Sequence, residues 1–232
     1  MGRSLRRALT VATVLIATLV PAGEPAHPAG AVDLALVLAI DCSYSVDEHE
    51  FALQMQGFAE AFRSPEIIEA IRSGPNGRIA VAMIQWSGAG AQTIAVPWLE
   101  IGDEAGGQAL AQIFEETPRL TLGPTSISGA VHAGIALLRS SPFAGARGVI
   151  DVSSDGINNS GAAPDALRAR ALAYGITINA LAIQTEIPYL ELYFRNHVIA
   201  GHGSFVLVAE DYEAFHDAIK KKLLKEIMRP IS

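Results

Sequence analysis

The sequence has 232 residues, of which 50% are hydrophobic and 18% are charged, so it is long and apolar enough to bury one sizeable core. Its formal net charge of −7 argues against nucleic acid or an anionic membrane surface as a partner, because both are bound by basic patches. A single cysteine, Cys42, excludes an intramolecular disulfide, and we expect this thiol to be buried as a small hydrophobe.

The first 31 residues are typical of an export signal. Three arginines form a basic head, and residues 8–20 form an uncharged apolar run. That run is shorter than the roughly 20 residues that a helix needs to cross a bilayer, although an uncleaved anchor remains the alternative. Small residues at 29–31 fit a cleavage site after Ala31. We therefore predict a signal peptide over residues 1–31 and a periplasmic or extracellular mature chain without a transmembrane span.

Short apolar runs and helical spacings alternate along the rest of the chain. Continuous apolar runs predict strands of a sheet covered on both faces, at residues 34–40, 79–86, 93–98, 148–153, 176–183 and 204–208. Helical patterns occupy residues 51–62, 64–71, 105–114, 126–138, 164–173, 189–198 and 212–228. Only "SGAGAQ" separates the second and third strands, which predicts an antiparallel hairpin. We therefore predict one α/β domain over residues 32–228, with a mostly parallel sheet, an antiparallel edge and a short tail at 229–232.

Three segments at the carboxyl edge of this sheet carry oxygen ligands, and ligands of such sheets bind at that edge. The first places Asp41, Ser43 and Ser45 in D-x-S-x-S spacing after the first strand. The second has Thr125 just before a helix, and the third has Asp155 in "SSDG" after the fourth strand. Hydroxyls and carboxylates without histidine or thiol favour Mg²⁺, Mn²⁺ or Ca²⁺ over zinc or copper. We therefore predict a divalent-cation site.

Each segment also has a purely structural explanation. An S-x-x-E spacing that begins at Ser45 could be a capping box, but a D-x-x-E spacing begins two residues later at Asp47. If Asp47 is the cap, the hydroxyl of Ser45 stays free for a metal ion. Thr125 or the serine after it could be an ordinary N-cap, and Asp155 could belong to an ordinary turn.

The three segments in this order resemble the metal-ion-dependent adhesion site of the von Willebrand factor A (VWA) domain. The stretches "VDLALVLAIDCSYSVDEHEF", "IRSGPNGRIAVAMIQWSG" and "GVIDVSSDGINNSG" are more closely similar to the bacterial family called domain of unknown function 1194. The resemblance implies a single doubly wound, Rossmann-like α/β domain with six strands and a metal ion at its top. It implies that Ser43, Ser45 and Thr125 touch Mg²⁺ (or Mn²⁺/Ca²⁺) directly, while Asp41 and Asp155 act mostly through water.

Two classes of function are compatible with such a site. The leading hypothesis is a binding module without enzymatic activity, which uses the cation to bind an acidic group on a partner protein. The alternative is a metal-dependent hydrolase or phosphoryl-transfer enzyme that uses Asp41. The sequence has no P-loop, no G-x-S-x-G elbow and no H-E-x-x-H motif, and catalysis needs a positioned base as well as a metal.

Three further polar residues in or near the fourth strand have structural interpretations. Asp151 interrupts an apolar strand, which is costly unless the carboxyl group is paired. We expect a structural hydrogen bond for it rather than a catalytic role. Asn158 and Asn159 are expected to shape the loop beside Asp155.

Overall fold

The structure, a computed structural model, describes residues 30–143 and 146–228. All but the last two residues of the predicted signal peptide, and the whole C-terminal tail, lie outside this range. In the described part of the chain, no helix is long and apolar enough to cross a membrane. The strands are β1 Leu34–Asp41, β2 Ile79–Trp86, β3 Gln92–Ile101, β4 Arg147–Ser154, β5 Thr177–Ile183 and β6 Val206–Ala209. The helices are α1 Glu48–Arg63, α2 Pro65–Arg72, α3 Glu104–Glu116, α4 Ile127–Arg139, α5 Asp165–Ala173, α6 Leu190–His197 and α7 Phe215–Ile227.

The strands form one six-stranded sheet in the order β3-β2-β1-β4-β5-β6. Every neighbouring pair is parallel except β2 and β3, which form the predicted antiparallel hairpin. The chain winds outward from β1 to β3, returns to β4 on the other side of β1, and then winds outward to β6. The winding direction therefore reverses between β1 and β4. The predicted doubly wound α/β fold with an antiparallel edge strand is confirmed.

Helices cover both faces of the sheet, which explains why the strands are continuously apolar. Successive side chains of a strand point to opposite faces. Leu36 and Leu38 of β1 belong to the core beneath α1, α2, α3 and α7. Val37 and Ala39 belong to the opposite core, beneath α4, α5 and α6.

The predicted element bounds differ from the observed ones mainly at the edge of the sheet and before α7. Strand β3 continues to Ile101, because its last residues pair with the first residues of β2. Helix α7 begins at Phe215 rather than at Tyr212, since the side chain of Asp211 accepts a hydrogen bond from the amide of Ala214 (2.7 Å) and forms a turn there. Tyr212 is therefore in the loop that precedes the helix.

Three loops meet at the carboxyl edge, beside the reversal of winding. The loop after β1 and the loop after β4 are neighbours because their strands are paired. An isolated parallel bridge between Ser43 and Gly123 joins the loop before α4 to the loop after β1. The fold thus brings together the three segments that carry the predicted ligands.

Candidate metal centre

Neighbouring residues cap the two helices at the site, and the predicted ligand hydroxyls are not used for capping. Asp47 accepts a hydrogen bond from the amide of Glu50, and the Glu50 carboxylate accepts one from the amide of Asp47, both at 2.8 Å. This capping box starts α1 and leaves Ser45 outside the helix. At α4 the cap is Ser126, whose Oγ accepts from the amide of Gly129 at 3.2 Å. The Thr125 hydroxyl likewise stays outside the capping arrangement.

Four of the five predicted ligands are joined by direct hydrogen bonds. The amide of Ser43 donates to Oδ1 of Asp41 at 2.7 Å. The hydroxyl oxygens of Ser43 and Ser45 lie 3.2 Å apart, and Ser45 Oγ donates to Oδ1 of Asp155 at 2.8 Å. Ser154, at the end of β4, donates its hydroxyl to the other carboxylate oxygen of Asp41. The loops after β1 and β4 therefore form one polar cluster.

Thr125 is tied to this cluster through the loop after β4. Its amide donates to Oδ1 of Asn159 at 2.8 Å, and its carbonyl accepts from the amide of Asn159 at 2.9 Å. A Cβ atom on Gly156 would lie 3.4 Å from Thr125 Oγ1, within van der Waals contact, so the two loops approach each other closely here. Asn158 accepts from the amide of Ser128 at 3.1 Å. The two asparagines thus link the Asp155 loop to the start of α4.

The two carboxylates are buried without a basic partner. Asp41 is 0% and Asp155 is 4% exposed. Burial, followed by the charge of Asp155, raises the pKa of Asp41 to about 7, although hydrogen bonds from Ser154 and Ser43 act in the opposite direction. Burial also raises the pKa of Asp155. Neither carboxylate forms a salt bridge with any described residue. A bound cation would supply the missing positive charge.

The groups at the site fit a hard divalent cation. Thr125 lines the cleft at this edge, and its hydrogen bonds with described residues come from its amide and its carbonyl, so its hydroxyl is available to a ligand. All the converging groups are hydroxyl or carboxylate oxygens, the ligands that Mg²⁺, Mn²⁺ and Ca²⁺ prefer. Across the same described residues, no three histidine, cysteine, aspartate or glutamate side chains are grouped to hold a metal ion. Serine and threonine hydroxyls would therefore provide much of any coordination.

An open cleft gives access to these groups from solvent. It has a volume of about 270 Å³, and its walls include Tyr44, Ser45, Thr125, Asp155 and Glu186. Ser45 is exposed, while Asp41 lies beneath it with no exposed surface. A group that enters the cleft would therefore meet Ser45, Thr125 and Asp155 before it could reach Asp41.

Several residues around the site were not predicted from the sequence. Ser154 lies in the quoted "SSDG" and could have been found from its place at the strand end. Tyr212 is buried, and burial together with the charge of Asp155 raises the pKa of its hydroxyl group. Arg119 donates hydrogen bonds to backbone carbonyls of the loop after β1, and Glu186 lines the cleft. Both come from distant parts of the chain, and no local motif marks them.

Asp151, whose partner could not be predicted, forms a buried ion pair with Lys222 of α7. Lys222 also lies 2.8 Å from Oε1 of Glu226, which accepts a further hydrogen bond from Asn179 at 2.8 Å. Burial alone would lower the pKa of Lys222, but the negative charges of Asp151 and Glu226 outweigh it and raise this pKa. The carboxyl group of Asp151 thus has the structural role expected for it, through an ion pair rather than a neutral hydrogen bond.

Several solved structures have the same fold. One is proximal thread matrix protein 1 from the mussel byssus, with zinc in its metal-ion-dependent adhesion site (MIDAS) motif. It is 17% identical to this chain, with a TM-score of 0.63, and the match covers 85% of this chain and 48% of the mussel chain. The von Willebrand factor type A protein from Catenulispora acidiphila is 15% identical, with a TM-score of 0.59, and the match covers 87% of this chain and 44% of the other chain. Manganese-loaded TRAP protein from Plasmodium vivax is 15% identical, with a TM-score of 0.54, and the match covers 86% of this chain and 74% of the other chain. The chain spans about half the length of the mussel protein.

These similarities, at low sequence identity, show a VWA-type fold. No curated protein matches the sequence. The family model described as "Protein of unknown function (DUF1194)" matches residues 31–231. The chain therefore belongs to the DUF1194 family, and its fold is that of a VWA domain.

Proposed function

We propose that this chain is an exported binding module of the VWA type, which holds a divalent cation and uses it to bind an acidic group on a partner protein. The proposed ligands are Asp41, Ser43, Ser45, Thr125 and Asp155. The observation that carries this proposal is their convergence, in which two buried carboxylates lie beside three hydroxyls without a basic side chain bound to them.

The five residues would divide the work according to their chemistry. Ser43, Ser45 and Thr125 would bind the ion through neutral hydroxyls, while Asp41 and Asp155 would orient those groups and contribute negative charge. A divalent ion held mainly by neutral ligands keeps much of its charge and would attract a carboxylate from outside. Mg²⁺ fits this set of ligands, as do Mn²⁺ and Ca²⁺.

The position of Asp41 supports a binding module over the alternative of a hydrolase or phosphoryl-transfer enzyme. Its side chain has no exposed surface, and both of its oxygens accept hydrogen bonds, from the amide of Ser43 and the hydroxyl of Ser154. A nucleophile must reach the atom that it attacks. Asp41 is better placed to hold the loop than to contact a substrate.

Two relatives support a cation at this position, since one has a zinc-occupied MIDAS motif and the other is loaded with manganese. Export is proposed on the sequence of residues 1–31, with cleavage after Ala31 and a periplasmic or extracellular location.

Capture of a partner from envelope extracts tests this proposal. Immobilised residues 32–232 should retain a protein in Mg²⁺ and release it in chelator, and neutral replacement of one acidic residue on that protein should abolish its retention. Retention that is equal in Mg²⁺ and in chelator would overturn the proposal.

A further inference from the structure

The segment around Arg119, which contains none of the predicted ligands, holds the loop after β1 in place. Gln85, which is fully buried in β2, donates from Nε2 to the carbonyl of Pro118 at 2.8 Å. Its Oε1 accepts a hydrogen bond from the amide of Leu120 at 2.6 Å. Gln85 thus binds the residue before and the residue after Arg119, and it fixes the backbone from which the arginine extends.

The guanidinium group of Arg119 binds backbone carbonyls of the loop after β1. Nη1 donates to the carbonyl of Val46, and Nη2 donates to the carbonyls of Cys42 and Ser43, all at 2.8 Å. Nε donates to the carbonyl of Thr121 at 3.3 Å. Arg119 forms no salt bridge with the described residues, so its charge is met by carbonyl dipoles.

These bonds span the turn that presents Ser45. The turn is closed by a hydrogen bond from the amide of Val46 to the carbonyl of Ser43, at 3.1 Å. Arg119 binds the carbonyls at both ends of the turn, and Ser45 lies between them. The planar fork of a guanidinium can hold two such carbonyls in fixed relative positions, which the single ammonium group of lysine cannot do.

We propose that Arg119 is a positioning residue for the cation site, and that Gln85 holds it in place. By fixing the carbonyls of Cys42, Ser43 and Val46, it sets the relative positions of the hydroxyls of Ser43 and Ser45. This inference rests on the proposed function, because it assumes that these hydroxyls bind a cation. Arg119 acts through the backbone and does not touch the ion.

Titration of residues 32–232 with Mn²⁺, followed by the electron paramagnetic resonance signal of the free ion, tests this role. Arg119→Lys keeps the charge but loses the fork, and it should weaken Mn²⁺ binding by about 10- to 100-fold, as losses of groups that orient metal ligands usually do. Gln85→Leu keeps the guanidinium group but removes the two hydrogen bonds that fix the backbone on either side of Arg119. This variant should also bind Mn²⁺ more weakly than the wild type. Arg170→Lys on the exposed surface of α5 is the matched control and should bind as the wild type does.

The outcomes separate this inference from the proposed function. If the wild type binds no Mn²⁺, both are wrong. If the wild type binds Mn²⁺ and the Arg119→Lys and Gln85→Leu variants bind it equally well, the cation site stands and the positioning role is wrong. A variant that melts earlier in chelator but keeps its Mn²⁺ affinity would show a purely structural role and also overturn the inference. Tighter Mn²⁺ binding by Arg119→Gln than by the wild type would show that the arginine opposes the cation through its charge, and it would also overturn the inference.

Discussion

Thr125 shows how a single residue can be kept available for a ligand. Ser126 supplies the cap of α4, and the hydroxyl of Thr125 has no hydrogen-bond partner in the part of the chain that the structure describes. The side chain lines the open cleft, where water can bond to the hydroxyl when no metal ion is present. A hydroxyl of this kind adds nothing to the stability of the metal-free protein.

Thr125→Val should therefore separate binding from stability. The valine keeps the shape of the side chain, so the free energy of unfolding in chelator should change by less than about 0.5 kcal/mol. Calorimetric titration with Mg²⁺ should show that binding is lost. Thr117→Val is the control, because the hydroxyl of Thr117 donates to the carbonyl of Ile113 at 2.6 Å. The control should lose about 1 kcal/mol of stability and bind Mg²⁺ normally. Normal Mg²⁺ binding by Thr125→Val would contradict its role as a ligand.

At the residue scale, the sequence predicts groups that follow a local pattern and misses those that act through the backbone. Asp41, Ser43 and Ser45 could be found because a short polar pattern ends an apolar strand. Arg119 could not be found, since its partners are carbonyl groups, which every residue has and no motif marks. Their positions relative to the guanidinium depend on the packing of two loops that are distant in sequence.

At the scale of elements, a buried ionic cluster attaches α7 to the sheet. Lys222 pairs with Asp151 of β4 and Glu226 of its own helix, and none of these three side chains has exposed surface. Asn179 of β5 binds Glu226 as well. The sequence indicates that Asp151 needs a partner, but the choice of Lys222 among three consecutive lysines depends on which face of α7 meets the sheet.

Lys222→Met should destabilise the protein strongly, because it leaves two buried carboxylates without their cation. The expected loss is about 3–5 kcal/mol in the free energy of unfolding, measured by urea denaturation. Lys221→Met is the control on the same helix, since Lys221 is exposed, and it should change stability by no more than about 0.5 kcal/mol. Similar stabilities of the two variants would show that the buried cluster does not anchor α7.

At the scale of the whole molecule, the order of the strands places the site. The strand pattern and the short hairpin link predict the doubly wound sheet from the sequence, and the reversal of winding between β1 and β4 brings their two loops together. The exact register of the strands is not encoded by a run of apolar residues, because such a run fits the sheet equally well after a shift. The ends of β3 and β6 differ from the prediction because the pairing with β2 and β5 sets where each of them begins and ends.

The pH dependence of global stability should report the buried cluster. Burial, followed by the charge of Glu226, raises the pKa of Asp151 from 3.8 to about 7. The folded state then binds a proton more tightly than the unfolded state does, so the free energy of unfolding falls as the pH rises between these two values.

Asp151→Asn removes this titrating group, although Lys222 and Glu226 still face the position. Urea unfolding in chelator at about pH 5 and about pH 8 should show a smaller decline of stability in the variant than in the wild type. Asp41, whose pKa is also raised, contributes equally to both proteins. An equal decline in the two proteins would mean that Asp151 titrates at its ordinary value.

The central claim, that Asp41, Ser43, Ser45, Thr125 and Asp155 hold a divalent cation, is tested most directly by thermal unfolding of residues 32–232. A ligand that binds the folded state alone stabilises it by mass action. Mg²⁺ or Mn²⁺ should raise the Tm of the wild type above its value in chelator, and Asp41→Ala should abolish that rise. Identical melting curves of the wild type with the cation and with chelator would contradict the claim.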